Sequence, residues 1–280
     1  MKEIIEFRIL NDYIHLLPSS VDWKENGSNY IVKVERSSSA FEKIKDLTHL
    51  VREKNNDYFF LFHNIIRKYT KKELSEATLF QIKIKSTFEP AGEECGTEYD
   101  ENTACKICGA NRKQIGPLRL QKSSIPKKDI ARTIAGEVIV SDNFKKAFES
   151  SNLKGIKFEQ VYSKDNPIDF IQSVPVSPEL STTVNTIAGI DPFDLSESSE
   201  DEVYKCPNGH TIGLNLLSEI YIKDLSQQIL EFDFFTTEQK IGVKRGLLRP
   251  EPLYLCSQEF RKMVLEKNLK GFGFEIVHVE

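Results

Sequence analysis

SDNFKKAFESSNLKGIKFEQV, residues 141–161, and SQEFRKMVLEKNLKGFGFEIV, residues 257–277, align without a gap. Ser141, Phe144, Lys146, Asn152, Leu153, Lys154, Gly155, Phe158, Glu159 and Val161 each meet an identical residue at one constant offset, the mark of an internal duplication. The block reads as a strand, a serine-capped helix with Phe144 or Phe260 facing inward, a turn at Gly155 or Gly271, and an alternating strand.

Upstream of both blocks the chain is also related. Cys105-Lys106-Ile107-Cys108-Gly109 precedes Ile115-Gly116-Pro117-Leu118, and Cys206-Pro207-Asn208-Gly209-His210 precedes Ile212-Gly213-Leu214. The repeats are therefore expected over 89–164 and 204–280. Between them, 165–203 contains Pro167, Pro175, Pro178 and Pro192 and closes with 191–202, which holds six acids and no base. It reads as a solvated linker, or as an acidic surface for a basic partner.

The remaining segment, 1–88, mixes both periodicities. Tyr30–Val34 and Tyr58–Phe62 read as strands, and Phe41, Ile44, Leu47, Leu50 and Val51 form one stripe of a helix that starts after Ser38 or Ser39. A short helix over Lys71–Glu76, with Thr70 as its cap, leads into a strand over Leu79–Lys85. The expected fold class is α+β: two divergent strand-helix-strand repeats with zinc-knuckle turns, plus an N-terminal α+β segment.

Composition narrows the function classes. With 39% hydrophobic residues in 280 the chain can bury a core, and a net charge of −4 disfavours sequence-blind binding to nucleic acid. Acids alternate through Met1–Arg8 where a secretory signal needs an apolar run, and no later stretch reaches membrane-spanning length, so a cytoplasmic protein is expected. Five cysteines, two of them in a CxxC pair, then favour a metal over a disulfide framework.

One knuckle supplies two ligands, so a second pair is needed. Cys206 and His210 are its natural source, which makes Cys105, Cys108, Cys206 and His210 the expected ligands of one structural Zn2+. Two alternatives stay open: Cys95, in Glu93-Glu94-Cys95-Gly96-Thr97, as a further thiolate, or cysteines that are simply buried. Cys256 aligns with Val140 in a strand and reads as core.

Catalytic signatures are scarce. There is no phosphate-binding glycine loop, HExxH or GxSxG, and His49 and His63 read as structural. Glu98, Asp100, Glu101 and Asp129 lie near the first knuckle without a diagnostic spacing, so no catalytic residue is assigned. Arg112, Lys113, Arg119, Lys122, Lys127, Lys128 and Arg132 give the first repeat a basic face, but no aromatics interleave for base stacking. A nucleic-acid-associated zinc-ribbon-like protein is accordingly the alternative function.

CKICG, the following IGPLRL, the repeated S-x-x-F…N-L-K-G-x-x-F-E block and the second cysteine motif resemble the double-CxxCG proteins of bacteria, over roughly residues 90–280. The resemblance implies an immunity protein, non-catalytic, whose partner is a cognate contact-delivered toxin. Cys105 and Cys108 match the family's first motif and Cys206 the first cysteine of its second. The departure is CPNGH, where His210 must stand in for the missing thiolate.

Overall fold

The structure, a computed structural model, describes residues 1–19, 21–195, 204–223 and 231–280. Three of its helices begin on the same device. Ser38, Ser141 and Ser257 each accept, through Oγ, the backbone N–H of the phenylalanine three residues on: Phe41 at 3.3 Å, and Phe144 and Phe260 at 3.1 Å. Such a cap satisfies an orphan donor and stabilises the helix start by about 1 kcal/mol. The three capped phenylalanines are all buried.

The fold is mixed α+β and divides into two compact units, Met1–Glu76 with Pro192–Asp194, and Ala77–Asp191 with Leu195–Glu280. The first division thus falls after Glu76 and not at 88, because the strand over Leu79–Ile84 bonds to strands of the second unit.

In the first unit, β1 (Lys2–Leu10), β2 (Trp23–Asn26), β3 (Asn29–Glu35) and β4 (Phe60–Lys68) form an antiparallel sheet in the order β2-β3-β1-β4. Ile5, Phe7, Ile9, Val32 and Val34 alternate onto one buried face. Helix α1 (Ser39–Asn55) contributes Phe41, Ile44, Leu47 and Val51 to the core; Leu50, assigned to the same stripe by spacing, is 39% exposed. Helix α2 (Lys71–Glu76) starts in a capping box, with Glu73 N donating to Thr70 Oγ1 at 3.2 Å and Thr70 N to Glu73 Oε2 at 2.6 Å.

The second unit opens with β5 (Leu79–Ile84), β6 (Thr87–Phe88), β7 (Glu98–Asp100) and β8 (Lys113–Ile115). Then come β9 (Ile130–Thr133), β10 (Val138–Ser141), α3 (Asp142–Ser150), β11 (Ile156–Ser163) and β12 (Asn166–Pro175). Four short strands follow: β13 (Ala188–Gly189), β14 (Thr211–Gly213), β15 (Asn215–Leu216) and β16 (Ile220–Ile222). The last elements are β17 (Phe234–Ile241), β18 (Glu251–Ser257), α4 (Gln258–Glu266) and β19 (Phe272–Val279).

β12 corrects the expected linker over 165–203. Its prolines, Pro167 and Pro175, stand near its two ends, where a missing N–H is tolerated, and Ile171 and Gln172 between them pair on both sides. Of the acidic run 191–202, residues 196–202 lie outside the described residues.

The two large sheets run β11-β12-β10-β9-β6 and β14-β17-β18-β5-β19-β16. In each, a strand outside the aligned block sits between that block's two strands, β12 following β11 directly and β5 coming from far earlier in the chain. β12 places Gln172 between Ile139 and Glu159, and β5 places Gln81 between Leu255 and Glu275. Ile139 and Leu255, and Glu159 and Glu275, are themselves aligned pairs. Phe144 of α3 and Phe260 of α4 meet at 5.8 Å between centroids, and Phe144 stacks on Phe272 at 5.6 Å.

The loops after the helices are clasped across the two blocks. Asp129 accepts from Ser141 Oγ at 2.7 Å and from the backbone N of Lys270 at 2.6 Å. Asp233 accepts from Ser257 Oγ at 2.7 Å and from the backbone N of Lys154 at 3.0 Å. The glycines next to those lysines sit under the opposite strand. A Cβ on Gly155 (φ 115°) would lie 2.3 Å from Phe234 O, and one on Gly271 (φ 104°) 2.5 Å from Ile130 O.

Candidate metal centre

Cys105 and Cys108 lie in the loop between β7 and β8, and Cys206 and His210 in the loop that enters β14. Both loops close the same way: Cys105 N donates to Ala110 O at 2.8 Å and Cys206 N to Thr211 O at 3.1 Å. Gly109 (φ 72°) and Gly209 (φ 75°) take the left-handed conformation that lets the chain turn back so sharply. Thr211 adds a second tie, accepting from Cys206 N at 2.9 Å and donating to Tyr204 O at 2.9 Å.

These turns bring the four expected ligands together. Sγ of Cys105, Cys108 and Cys206 and a ring nitrogen of His210 all lie within 4.8 Å of one another, and the four could hold a metal ion. Cys105 and Cys206 sulfurs are 4.0 Å apart; His210 Nδ1 is 3.7 Å from Cys108 Sγ and 3.8 Å from Cys206 Sγ. Cys206 is buried and the other three are half-buried.

The two thiols of the first turn stand in different fields. Backbone N–H groups of Cys108 and Ile107 aim at Cys105 and hold its thiol down to about 6, whereas burial pushes Cys108 up to about 11. A bound cation favours the thiolate at both. Around the donors, Asn208 Nδ2 donates to Cys105 Sγ at 3.7 Å, and Lys240 N to His210 O at 2.8 Å, which ties the histidine backbone to β17.

Cys95 is not one of the four. It closes a 3-10 turn, Glu93–Cys95, and burial raises its thiol. Cys256 is fully buried in β18, as its alignment with buried Val140 implies.

Three of the four carboxylates near the first turn, Asp100, Glu101 and Asp129, are engaged structurally, Asp100 accepting from Asn102 N at 2.9 Å. Glu101 accepts from Arg112 at 3.0 Å, an interaction that lowers its pKa, and Asp129 is the clasp described above. The basic face is largely matched by acids: Arg112 with Glu93 and Glu101, Arg119 with Asp165, Lys122 with Asp169, and Arg132 with Glu251. Arg112 also lies over the Tyr99 ring at 3.8 Å. His278 bonds Glu219 at 3.0 Å and stacks on Tyr221.

Sequence reasoning missed Thr211 and Asn208 as supports of the centre, and it took Asp129 only as a candidate acid. A hydroxyl two residues after Gly209 carries no signal of its own until the turn is seen to close on it.

No helix among the described residues is long and apolar enough to cross a membrane. No protein-family model matches the chain, and no curated protein matches it.

Proposed function

We propose that the chain is a non-catalytic immunity protein of the cytoplasm that binds and neutralises a cognate toxin, with one structural Zn2+ fastening its fold. The observation that carries this reading is the four-donor cluster. Three sulfurs and one imidazole nitrogen are soft donors suited to zinc. Bonds of about 2.3 Å to sulfur and 2.0–2.1 Å to nitrogen around a tetrahedral ion place donors roughly 3.5–3.8 Å apart. The distances of 3.7, 3.8 and 4.0 Å lie close to that range.

Four protein ligands fill a tetrahedral ion, which suits a structural and not a hydrolytic role. In this reading the α3 and α4 blocks are copies of one duplicated unit, each opened by a zinc knuckle, and the ion joins the two knuckles. The likeness of both cysteine turns to the double-CxxCG proteins supplies the immunity role. The pairing of Arg112, Arg119, Lys122 and Arg132 with carboxylates weighs against phosphate docking.

The test is expression of the gene with, and without, the product of its neighbouring open reading frame. Host rescue with a stoichiometric complex, and one zinc per chain by native mass spectrometry, is the expected result. A harmless neighbour that forms no complex would overturn the immunity role.

A further inference from the structure

Phe193 packs into elements far from it in sequence. Its ring stacks on Phe7 of β1 at 5.6 Å between centroids and tilts against Phe41 of α1 at 5.1 Å and Phe60 of β4 at 6.1 Å. Pro192 before it is buried, and its carbonyl accepts from Arg36 Nη1 at 2.8 Å. Pro192–Asp194 therefore belongs by its contacts to the first unit, although the residues on either side belong to the second.

Two features set this seat apart from ordinary core. What occupies it is a Pro–aromatic pair between two exposed aspartates, Asp191 and Asp194, with Phe193 only half-buried. The second feature is Arg36. Its Nε donates to Glu3 at 2.6 Å, a carboxylate that also accepts from Arg67 at 2.8 Å, and its guanidinium lies over Phe41 at 5.5 Å. Arg36 Nη2 is buried and has no hydrogen-bond partner among the described residues. A buried donor without an acceptor is destabilising, and an occupant that brought one would relieve it. An aromatic seat with a guanidinium at its rim selects an acidic segment with an aromatic anchor.

We infer that Met1–Glu76 is a peptide-recognition unit whose aromatic seat takes a Pro–aromatic pair flanked by carboxylates on a partner protein, and that Pro192–Asp194 holds the seat in cis until such a partner displaces it. The strap seats one proline and one ring, and it leaves Arg36 Nη2 without an acceptor, so a better-matched segment can replace it. This goes beyond the neutralising role and stands without it.

The probe is a fluorescein-labelled peptide of the sequence GIDPFDL, residues 189–195, titrated into the full chain and read by anisotropy. A tethered segment competes at an effective concentration of roughly millimolar, so Phe193→Ala is expected to bind the probe at least about tenfold tighter than the wild type. A peptide with alanine for phenylalanine should bind the variant about tenfold more weakly than the probe, and one with asparagine for both exposed aspartates about two- to threefold more weakly. A Phe193→Ala chain with the wild-type circular dichroism that binds no peptide, or binds all three alike, would overturn the inference.

If Phe193→Ala does not fold, competition in the wild type decides. Unlabelled probe in roughly tenfold excess over the millimolar tether should abolish hydrogen-exchange protection at residues 193–194. Unchanged protection counts against the proposal. A concentration-dependent wild-type dimer that Phe193→Ala removes would assign the seat to a second copy of this chain and overturn the partner role.

Discussion

The two cysteine turns start alike and end differently. Both close with an N–H from the first cysteine to the carbonyl five residues on, and both turn through a left-handed glycine. In the first the candidate ligands are Cys105 and Cys108 and the glycine follows at 109; in the second the glycine stands at 209 and the candidate ligand His210 comes one residue later. The imidazole reaches one bond further than a thiol, and its Nδ1 still arrives 3.7 Å from Cys108 Sγ. What the two turns share is the position of the donor atom, not the residue that supplies it.

The sharpest way to break that comparison is to remove one thiolate from each side. If the ion is shared, Cys105→Ser and Cys206→Ser should have the same effect: metal lost from the purified chain, and a destabilisation above about 4 kcal/mol, or roughly 8–16 °C in Tm. Metal stoichiometry and calorimetry read both. Metal retained by Cys206→Ser would show that the first turn holds the ion without the second.

The next effect tests the likeness of the two blocks themselves. Gly155→Ala and Gly271→Ala each push a Cβ into a backbone carbonyl of the opposite strand, at 2.3 and 2.5 Å, from a positive φ. A loss of about 3 kcal/mol is expected from either. Gly116→Ala, at φ 71° with nothing within 4 Å of the added carbon, should cost only about 1 kcal/mol. Chemical denaturation of the three variants separates close approach from backbone conformation alone.

These glycines were legible in sequence, because N-L-K-G recurs at the constant offset that marks both blocks. So were the capped helices and the four side chains that meet in the Cys/His cluster, since serine caps, CxxC spacing and its altered echo in CPNGH are local patterns. The placing of β5 and β12 was not. Alternation shows that Leu79–Ile84 is a strand, but nothing local says that its neighbours are β18 and β19, which lie near the other end of the chain. β12 was further hidden by Pro167 and Pro175, read as linker residues where they only bracket a strand.

The clasping aspartates escaped for a related reason. Asp129 precedes its serine by 12 residues and Asp233 by 24, so no gapless alignment joins them. Asp129→Ala and Asp233→Ala each strand a serine hydroxyl and a backbone N–H, with an expected loss of about 2 kcal/mol apiece. Unequal losses would show that the two clasps, alike in geometry, carry different loads; urea denaturation midpoints measure the difference.

The smallest expected effect comes from making the second turn like the first. Gly209→Cys with His210→Gly writes CPNCG at 206–210, moves the donor back one residue, and returns glycine to the place it holds in CKICG. Gly209→Cys alone would place a side chain at φ 75°, so the paired change is the fair comparison. If donor position is what the two turns share, the double variant should keep one metal per chain and melt within about 3 °C of wild type, a change near 1 kcal/mol. Cobalt substitution reports the donor set directly, since a fourth thiolate strengthens the sulfur-to-metal charge-transfer band. Loss of the metal instead would place the difference outside the turn, in the bond from Lys240 N to His210 O at 2.8 Å. That contact fixes the backbone at 210 against β17, and only a side chain rooted at that residue would then reach the ion.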